Sequence, residues 1–133
     1  MITVEHIGIA VKSLAESIPV FEKLLNSKCY KTEPVKSESV NTAFFQTGDT
    51  KIELLESTDP MGVISKFIGK KGEGLHHIAF DVNDIGSEMA RLKKEGFVLL
   101  NETPRPGADN KLVCFIHPKD TNGVLIELCQ EIK

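Results

Sequence analysis

Two histidines and two glutamates stand at matching positions in the two halves of the sequence. His6 opens the run His-Ile-Gly-Ile-Ala-Val, and His77 opens the run His-Ile-Ala-Phe-Asp-Val 71 residues later. Glu53 lies within Ile-Glu-Leu-Leu and Glu127 within Ile-Glu-Leu-Cys, 74 residues apart. Imidazole and carboxylate groups are ligands that suit Zn²⁺, Co²⁺, Mn²⁺, Ni²⁺ and Fe²⁺. The repetition therefore predicts that His6, Glu53, His77 and Glu127 bind one divalent cation.

Strand alternation explains how these side chains reach a common face. Residues 3–11 and 75–82 alternate and are rich in Ile and Val, as strands are. In each strand the histidine shares one face with the small residues that follow it, while the bulky apolar residues share the other. We expect the bulky faces to pack beneath helices and the histidine faces to leave room for a ligand. A carboxylate between apolar strand residues, as at Glu53 and Glu127, is costly to bury unless it is paired or binds a metal.

Each half of the sequence predicts the order strand, helix and three strands. Ser13-Leu14-Ala15-Glu16 is a capping-box pattern and predicts a helix that begins there and runs to about Leu25. The other predicted elements are strands near 28–36, 39–47 and 50–56, a short helix at 60–68, a strand at 75–82, a helix at 84–95, and strands near 97–101, 111–117 and 123–129.

This order predicts an α+β fold. It consists of two tandem βαβββ modules, about residues 1–58 and 72–133, that form a curved, mostly antiparallel sheet around a metal-binding cleft. The length of 133 residues favours one domain that comprises both modules.

Composition argues against several classes of function. The formal net charge is −3 and the basic residues form no stripe, so we expect no nucleic-acid partner. No apolar run approaches the ~20 residues of a membrane helix, and the first residues lack the layout of a signal peptide. We therefore expect a cytoplasmic protein without a membrane partner. Cys29, Cys114 and Cys129 are odd in number and widely spaced, and they are expected to be buried free thiols.

The other two histidines have separate expected roles. His76 is adjacent to His77 but projects to the opposite face of its strand, so we expect it to be structural. His117 precedes Pro118 near the end of a predicted strand, where it either lines the cleft or closes a turn.

Five stretches carry a resemblance to a known family. They are His-Ile-Gly-Ile-Ala-Val at 6–11, Thr-Lys-Ile-Glu-Leu-Leu-Glu at 50–56, Gly-Leu-His-His-Ile-Ala at 74–79, His-Pro-Lys at 117–119 and Gly-Val-Leu-Ile-Glu-Leu at 123–128. The first of these is common to the vicinal oxygen chelate, or glyoxalase-like, superfamily, which the paired βαβββ halves also resemble. The last three resemble the methylmalonyl-CoA epimerase family more specifically. Together the stretches extend over nearly the whole chain.

The resemblance implies epimerisation at C2 of methylmalonyl-CoA. The reaction would proceed by metal-assisted removal and return of the C2 proton through an enolate-like intermediate. By position, His6, Glu53, His77 and Glu127 would bind the metal, and Glu127 would also be one of the two catalytic acid/base groups. The resemblance further implies Co²⁺ as the first choice of metal, with Mn²⁺, Zn²⁺ or Ni²⁺ as alternatives, a small-molecule acyl-CoA substrate and a homodimer.

The residue that acts as the second acid or base, on the opposite face of the substrate, is not assigned by the sequence. Some epimerases of this family carry a catalytic glutamate on the third strand, where this chain has Thr42, which is not a competent base at neutral pH. If Gly48-Asp49 is a two-residue turn, Phe44 opposes Glu53 and Thr42 shares their face. Glu38, four residues earlier in the same alternation phase, is one candidate for the missing group, and Glu53 is another.

Three other functions compete with epimerisation. A glutathione-dependent lyase uses the same enolate chemistry, and Glu53, where some epimerases have Gln, makes the ligand set resemble that of lactoylglutathione lyase. A ring-cleaving dioxygenase requires two histidines, one carboxylate and open positions on Fe²⁺, so a fourth ligand argues against it. A drug-binding protein of the same fold needs no metal, because fold alone does not determine function.

Overall fold

The computed structural model describes residues 2–133, which separate into two compact units. The first unit comprises His6–His76, and the second comprises residues 2–5 together with His77–Lys133. The strands are β1 (Thr3–Ala10), β2 (Lys31–Val35), β3 (Val40–Thr47), β4 (Thr50–Ser57), β5 (Gly74–Asp81), β6 (Arg105–Pro106), β7 (Lys111–Ile116) and β8 (Ile126–Glu131), and the helices are α1 (Leu14–Leu25), α2 (Val63–Lys71) and α3 (Ile85–Lys94). The predicted α+β class and the order βαβββ in each half are confirmed.

The first unit pairs its strands in the order β2-β3-β4-β1. β2, β3 and β4 are antiparallel neighbours, whereas β1 runs parallel to β4. The β3–β4 hairpin closes with Thr47 opposite Thr50, so Gly48 and Asp49 form the predicted two-residue turn. Gly48 has a φ of 64°, which this kind of turn requires and which glycine adopts at little cost.

Helix α1 covers one face of the first unit's sheet. It begins as predicted, because the Glu16 backbone N–H donates to the Ser13 hydroxyl oxygen at 3.2 Å. Its apolar side places Ile18, Phe21 and Leu25 against a buried cluster. The cluster consists of Val11, Leu14, Ala43, Phe45 and Leu54. The bulky face of the sheet therefore lies beneath the helix, and the histidine face is the opposite one, as predicted.

The second unit repeats this arrangement with the strand order β5-β8-β7-β6. β8 runs parallel to β5 and antiparallel to β7. Asp84 is the N-cap of helix α3, and its carboxylate accepts a hydrogen bond from the Ser87 backbone N–H at 3.0 Å. The buried cluster beneath α3 consists of Val82, Ile85, Met89, Leu92, Cys114, Ile116 and Leu128.

The strand predicted at 97–101 is wrong in extent. Residues 97–101 form an isolated bridge, from Leu99 to Ile116, in place of a strand, and β7 pairs with Arg105–Pro106 on the side opposite β8. Pairing stops at Asn101 because its side-chain carbonyl accepts from the Phe115 backbone N–H at 2.9 Å, in place of a neighbouring strand's backbone.

The three cysteines are free thiols, as expected. Cys114 and Cys129 are buried, and burial raises the pKa of both thiols. Cys29 is only partly buried, so the expectation for it was wrong, because it follows α1 in a surface loop where its thiol bonds to the Lys31 carbonyl oxygen. Across residues 2–133, none of the helices has both the length and the apolar character needed to cross a membrane.

Candidate metal-binding and catalytic residues

The first unit brings His6 and Glu53 into direct contact. His6 Nδ1 lies 3.1 Å from Glu53 Oε2, and both side chains are buried. The parallel register of β1 and β4 produces this contact, since Gly8 lies opposite Glu53 and His6 is two residues before Gly8 on the same face. Gly8 and Ala10 add little bulk to that face, as the sequence predicted.

The second unit brings His77 and Glu127 together in the same way. His77 Nε2 lies 3.2 Å from Glu127 Oε1, and both side chains are buried. Ala79 lies opposite Glu127 in the parallel pair of β5 and β8, and His77 is two residues before Ala79. The offset between histidine and glutamate is therefore identical in the two units, as a structural repeat requires.

The geometry of each pair fits a divalent cation. Two atoms that each lie about 2.1 Å from one cation, at neighbouring coordination positions, are about 3.0–3.4 Å apart. The two His–Glu separations, 3.1 and 3.2 Å, fall within this range. Nitrogen and carboxylate oxygen are also the donor types that borderline and hard divalent metals accept. Each pair thus offers two preformed ligand atoms in a setting from which water is largely excluded.

An aromatic side chain lies opposite each glutamate. Phe44 opposes Glu53, as predicted, and Phe115 opposes Glu127. The Phe115 ring meets the His77 ring edge to face, with centroids 5.9 Å apart. Such a contact restricts the rotation of the imidazole and keeps its Nε2 beside the carboxylate.

Thr42 and Glu38 lie in different surroundings. Thr42 is completely buried on β3, and the register confirms that it shares a face with Phe44 and Glu53. Glu38 does not continue that alternation, because it ends a 3-10 turn at Lys36–Glu38 and is followed by Ser39 in the left-handed conformation, with a φ of 54°. The prediction that Glu38 continues the alternation phase of Thr42 was therefore wrong. One carboxylate oxygen of Glu38 is nevertheless buried, although the residue as a whole is only partly buried.

The remaining histidines have structural contacts. The His76 ring packs edge to face on Phe67 of α2, with centroids 4.9 Å apart, which fits the structural role expected for it. His117 closes a turn, since its Nδ1 accepts from the Lys119 backbone N–H at 3.0 Å.

Two charged residues on the same face as Thr42 were not found from the sequence. Lys31 lies opposite Phe44 and Glu33 opposite Thr42 in the β2–β3 register. The Lys31 ammonium lies 4.5 Å from the centre of the Phe44 ring and 3.5 Å from a Glu33 carboxylate oxygen. Alternation within residues 28–36 assigns them to one face, but only the register with β3 shows which face that is.

Comparison with known proteins bears on this arrangement. Residues 5–115 match the family described as the glyoxalase/bleomycin resistance protein/dioxygenase superfamily. The chain belongs to this superfamily. The predicted α+β fold of paired βαβββ modules is the fold that its relatives share.

Three relatives make the resemblance more specific. An uncharacterised Bacillus subtilis protein, YqjC, is 41% identical over 95% of this chain and 90% of its own length. The human mitochondrial methylmalonyl-CoA epimerase is 36% identical over 94% of this chain and 72% of its own. A variant of the Streptomyces coelicolor methylmalonyl-CoA epimerase, solved in complex with 2-nitronate-propionyl-CoA, is 32% identical, with a TM-score of 0.91 over 98% of this chain and 97% of that one. The predicted resemblance to the epimerase family is thereby confirmed.

Proposed function

We propose that this protein epimerises methylmalonyl-CoA at C2. The observation that carries the proposal is the repeated buried pair of histidine and glutamate, at the same offset and nearly the same separation in both units. The similarity to named epimerases supports the choice of substrate class, an acyl-CoA thioester. A carboxylate buried beside an imidazole is suited to exchange a proton with a carbon acid, because few waters compete for it.

One divalent cation is bound by His6, Glu53, His77 and Glu127 in this proposal, with Co²⁺ as the first choice and Mn²⁺, Zn²⁺ or Ni²⁺ as alternatives. When bound, the cation acts as a Lewis acid towards the oxygens of the acyl group. The support lies in the donor types, the burial and the His–Glu separations of each pair. The active form in this proposal is a cytoplasmic homodimer. Sedimentation of the purified protein tests whether two chains associate.

Glu127 exchanges the C2 proton on one face of the substrate. Its Oε1 is 3.2 Å from His77 Nε2, so the fold holds the carboxylate in place beside the imidazole. An acid or base on the opposite face returns a proton, and the candidates are Glu53 and Glu38. Glu53 lies beside His6 as Glu127 lies beside His77, whereas Glu38 ends the 3-10 turn Lys36–Glu38, outside the strands that carry the two pairs.

Hydrogen exchange tests the reaction. The purified protein, supplied with Co²⁺, is incubated with one epimer of methylmalonyl-CoA in deuterated water and followed by NMR and mass spectrometry. We expect both epimers to form and C2 to acquire deuterium, since the proton that is returned comes from a second acid, which exchanges with solvent between turnovers. The absence of deuterium at C2 under conditions where the metal is bound would contradict the proposal.

Metal stoichiometry tests the shared site. We expect one Co²⁺ per chain by calorimetry and elemental analysis, and we expect His6→Ala and His77→Ala each to weaken that single binding event. His76→Ala is the matched control, because it removes the neighbouring imidazole from the opposite face of β5. Two ions per chain, each lost with only one of the two histidines, would show instead that the pairs act as separate sites.

A glutathione-dependent lyase is a second candidate, and the observation that favours it is Glu53. This residue completes a set of two histidines and two glutamates, which resembles the ligands of lactoylglutathione lyase. The two functions are distinguished by assaying the same metal-loaded protein with methylmalonyl-CoA and with the hemithioacetal of methylglyoxal and glutathione. The substrate with the higher kcat/KM identifies the function.

A further inference from the structure

Thr42 carries a buried hydroxyl that has no hydrogen-bond partner among residues 2–133. The residue is 0% exposed. An unpaired buried hydroxyl lowers the stability of a folded protein, so such groups are rare, and each one needs a physical reason.

The position of Thr42 places this hydroxyl near the first His–Glu pair. In the β3–β4 register Thr42 opposes Leu55, and Phe44 opposes Glu53. Thr42 and Glu53 therefore lie on one face as diagonal neighbours, about 7–8 Å apart between their Cα atoms. A small acyl group that contacts Glu53 is close enough to accept a hydrogen bond from the hydroxyl.

The second unit shows which residue would satisfy packing alone. Its register places Val113 opposite Cys129 and Phe115 opposite Glu127, so Val113 is the counterpart of Thr42. Valine has nearly the shape of threonine without the hydroxyl, and Val113 is buried as Thr42 is. The fold thus accepts valine at this position, and the hydroxyl of Thr42 is not needed for packing.

We propose that the Thr42 hydroxyl binds the acyl group of the substrate, by donating a hydrogen bond to one of its anionic oxygens. This inference rests on the proposed epimerase function, which supplies a malonyl-type acyl group. A hydroxyl has one proton to donate, and a bond from it to a charged oxygen is stronger than one to a neutral acceptor. Because the oxygen loses water when it enters the buried face, a donor in place there favours acyl groups that carry a carboxylate.

Three variants test this role by two readouts of opposite sign. Thr42→Val should raise the urea midpoint of the metal-free protein, because it removes an unpaired buried hydroxyl at nearly constant volume. The same variant should raise the Kd for 2-nitronate-propionyl-CoA, measured by calorimetry with Mn²⁺ present, by about 10- to 100-fold. Thr42→Ser keeps the hydroxyl and should retain most of the affinity. Val113→Thr is the matched control, and it should lower the urea midpoint and leave the Kd within about twofold.

The outcomes separate this inference from the proposed function. If the unaltered protein binds 2-nitronate-propionyl-CoA no more tightly than it binds CoA, the proposed function fails and this inference fails with it. If the unaltered protein prefers the analogue but Thr42→Val binds it equally well, only the role of Thr42 is overturned. A lower urea midpoint for Thr42→Val would also overturn it, because the hydroxyl would then be paired within the fold.

Discussion

The two units place a histidine and a glutamate with the same register, yet they line the surrounding face differently. In the first unit the face holds Thr42 and the fully buried Phe44, whereas in the second the corresponding residues are Val113 and the partly buried Phe115. The repeat has kept the positions that can bind a metal and has diverged at the positions around them. The two units therefore share the geometry of their His–Glu pairs and differ in the side chains that surround each pair.

The largest expected difference is between the two glutamates. Glu127→Gln should lower kcat for epimerisation by about 100- to 10,000-fold, because the amide cannot exchange the C2 proton. If Glu38 is the second acid or base, Glu53→Gln should lower kcat by less than about 10-fold. If Glu53 itself has that role, Glu53→Gln should lower kcat as much as Glu127→Gln does. Steady-state kinetics at saturating metal, together with metal affinity by calorimetry, measures both effects.

The result decides between two views of the repeat. Equal losses for the two glutamates would mean that the units are equivalent in catalysis as well as in geometry. Glu38→Gln is the companion variant, since it should reduce kcat only if the partly buried carboxylate of Glu38 takes part in the reaction. A Glu127→Gln enzyme that remains fully active would remove the central residue from the proposed mechanism.

The next largest difference is expected between Phe44 and Phe115, in the free energy of unfolding that each contributes. Phe44→Ala should lower the free energy of unfolding by about 3–5 kcal/mol, because a fully buried ring leaves a large cavity. Phe115→Ala should cost less, roughly 1–3 kcal/mol, since part of that ring is already exposed. Urea denaturation of the metal-free proteins checks the order, provided that the m-values agree. A larger loss for Phe115→Ala would show that its contact with His77 contributes more than burial does.

The helix caps should give the smallest difference, and it depends on pH. Ser13→Ala should destabilise the protein by about 1 kcal/mol at any pH, because the hydroxyl that caps α1 does not titrate. The hydrogen bond from the Ser87 backbone N–H holds the pKa of Asp84 below its ordinary value. The ionised carboxylate therefore stabilises α3 fully when the pH is above the ordinary pKa of an aspartate. This contribution is lost as the pH falls through the lowered pKa.

Asp84→Asn therefore isolates the charge of the second cap. At pH 7 it should lower the melting temperature, and towards pH 3 the difference from the unaltered protein should shrink, while the effect of Ser13→Ala persists. Thermal melts of the three proteins across this pH range make the comparison. A penalty for Asp84→Asn that does not change with pH would mean that the carboxylate caps the helix without help from its charge.

The elements and the face of each key residue were predictable because they follow from local patterns. Alternation with a period of two assigned His6 and His77 to the faces opposite the helices, and the capping box located the start of α1. The Gly48-Asp49 turn fixed the β3–β4 register and hence the pairing of Phe44 with Glu53. Metal binding by the two pairs remains a prediction.

Contacts between strands that are distant in sequence were decided by the tertiary structure alone. The parallel registers of β1 with β4 and of β5 with β8 set the His–Glu distances, and no single strand contains that information. The same holds for Asn101, whose side chain accepts from the Phe115 backbone N–H, and for Thr42, whose hydroxyl has no hydrogen-bond partner among residues 2–133. The sequence by itself determined which groups are available for chemistry, because residue type and alternation are local. The folded chain decided their distances and their burial, because these depend on hydrogen bonds and packing between segments that the sequence separates.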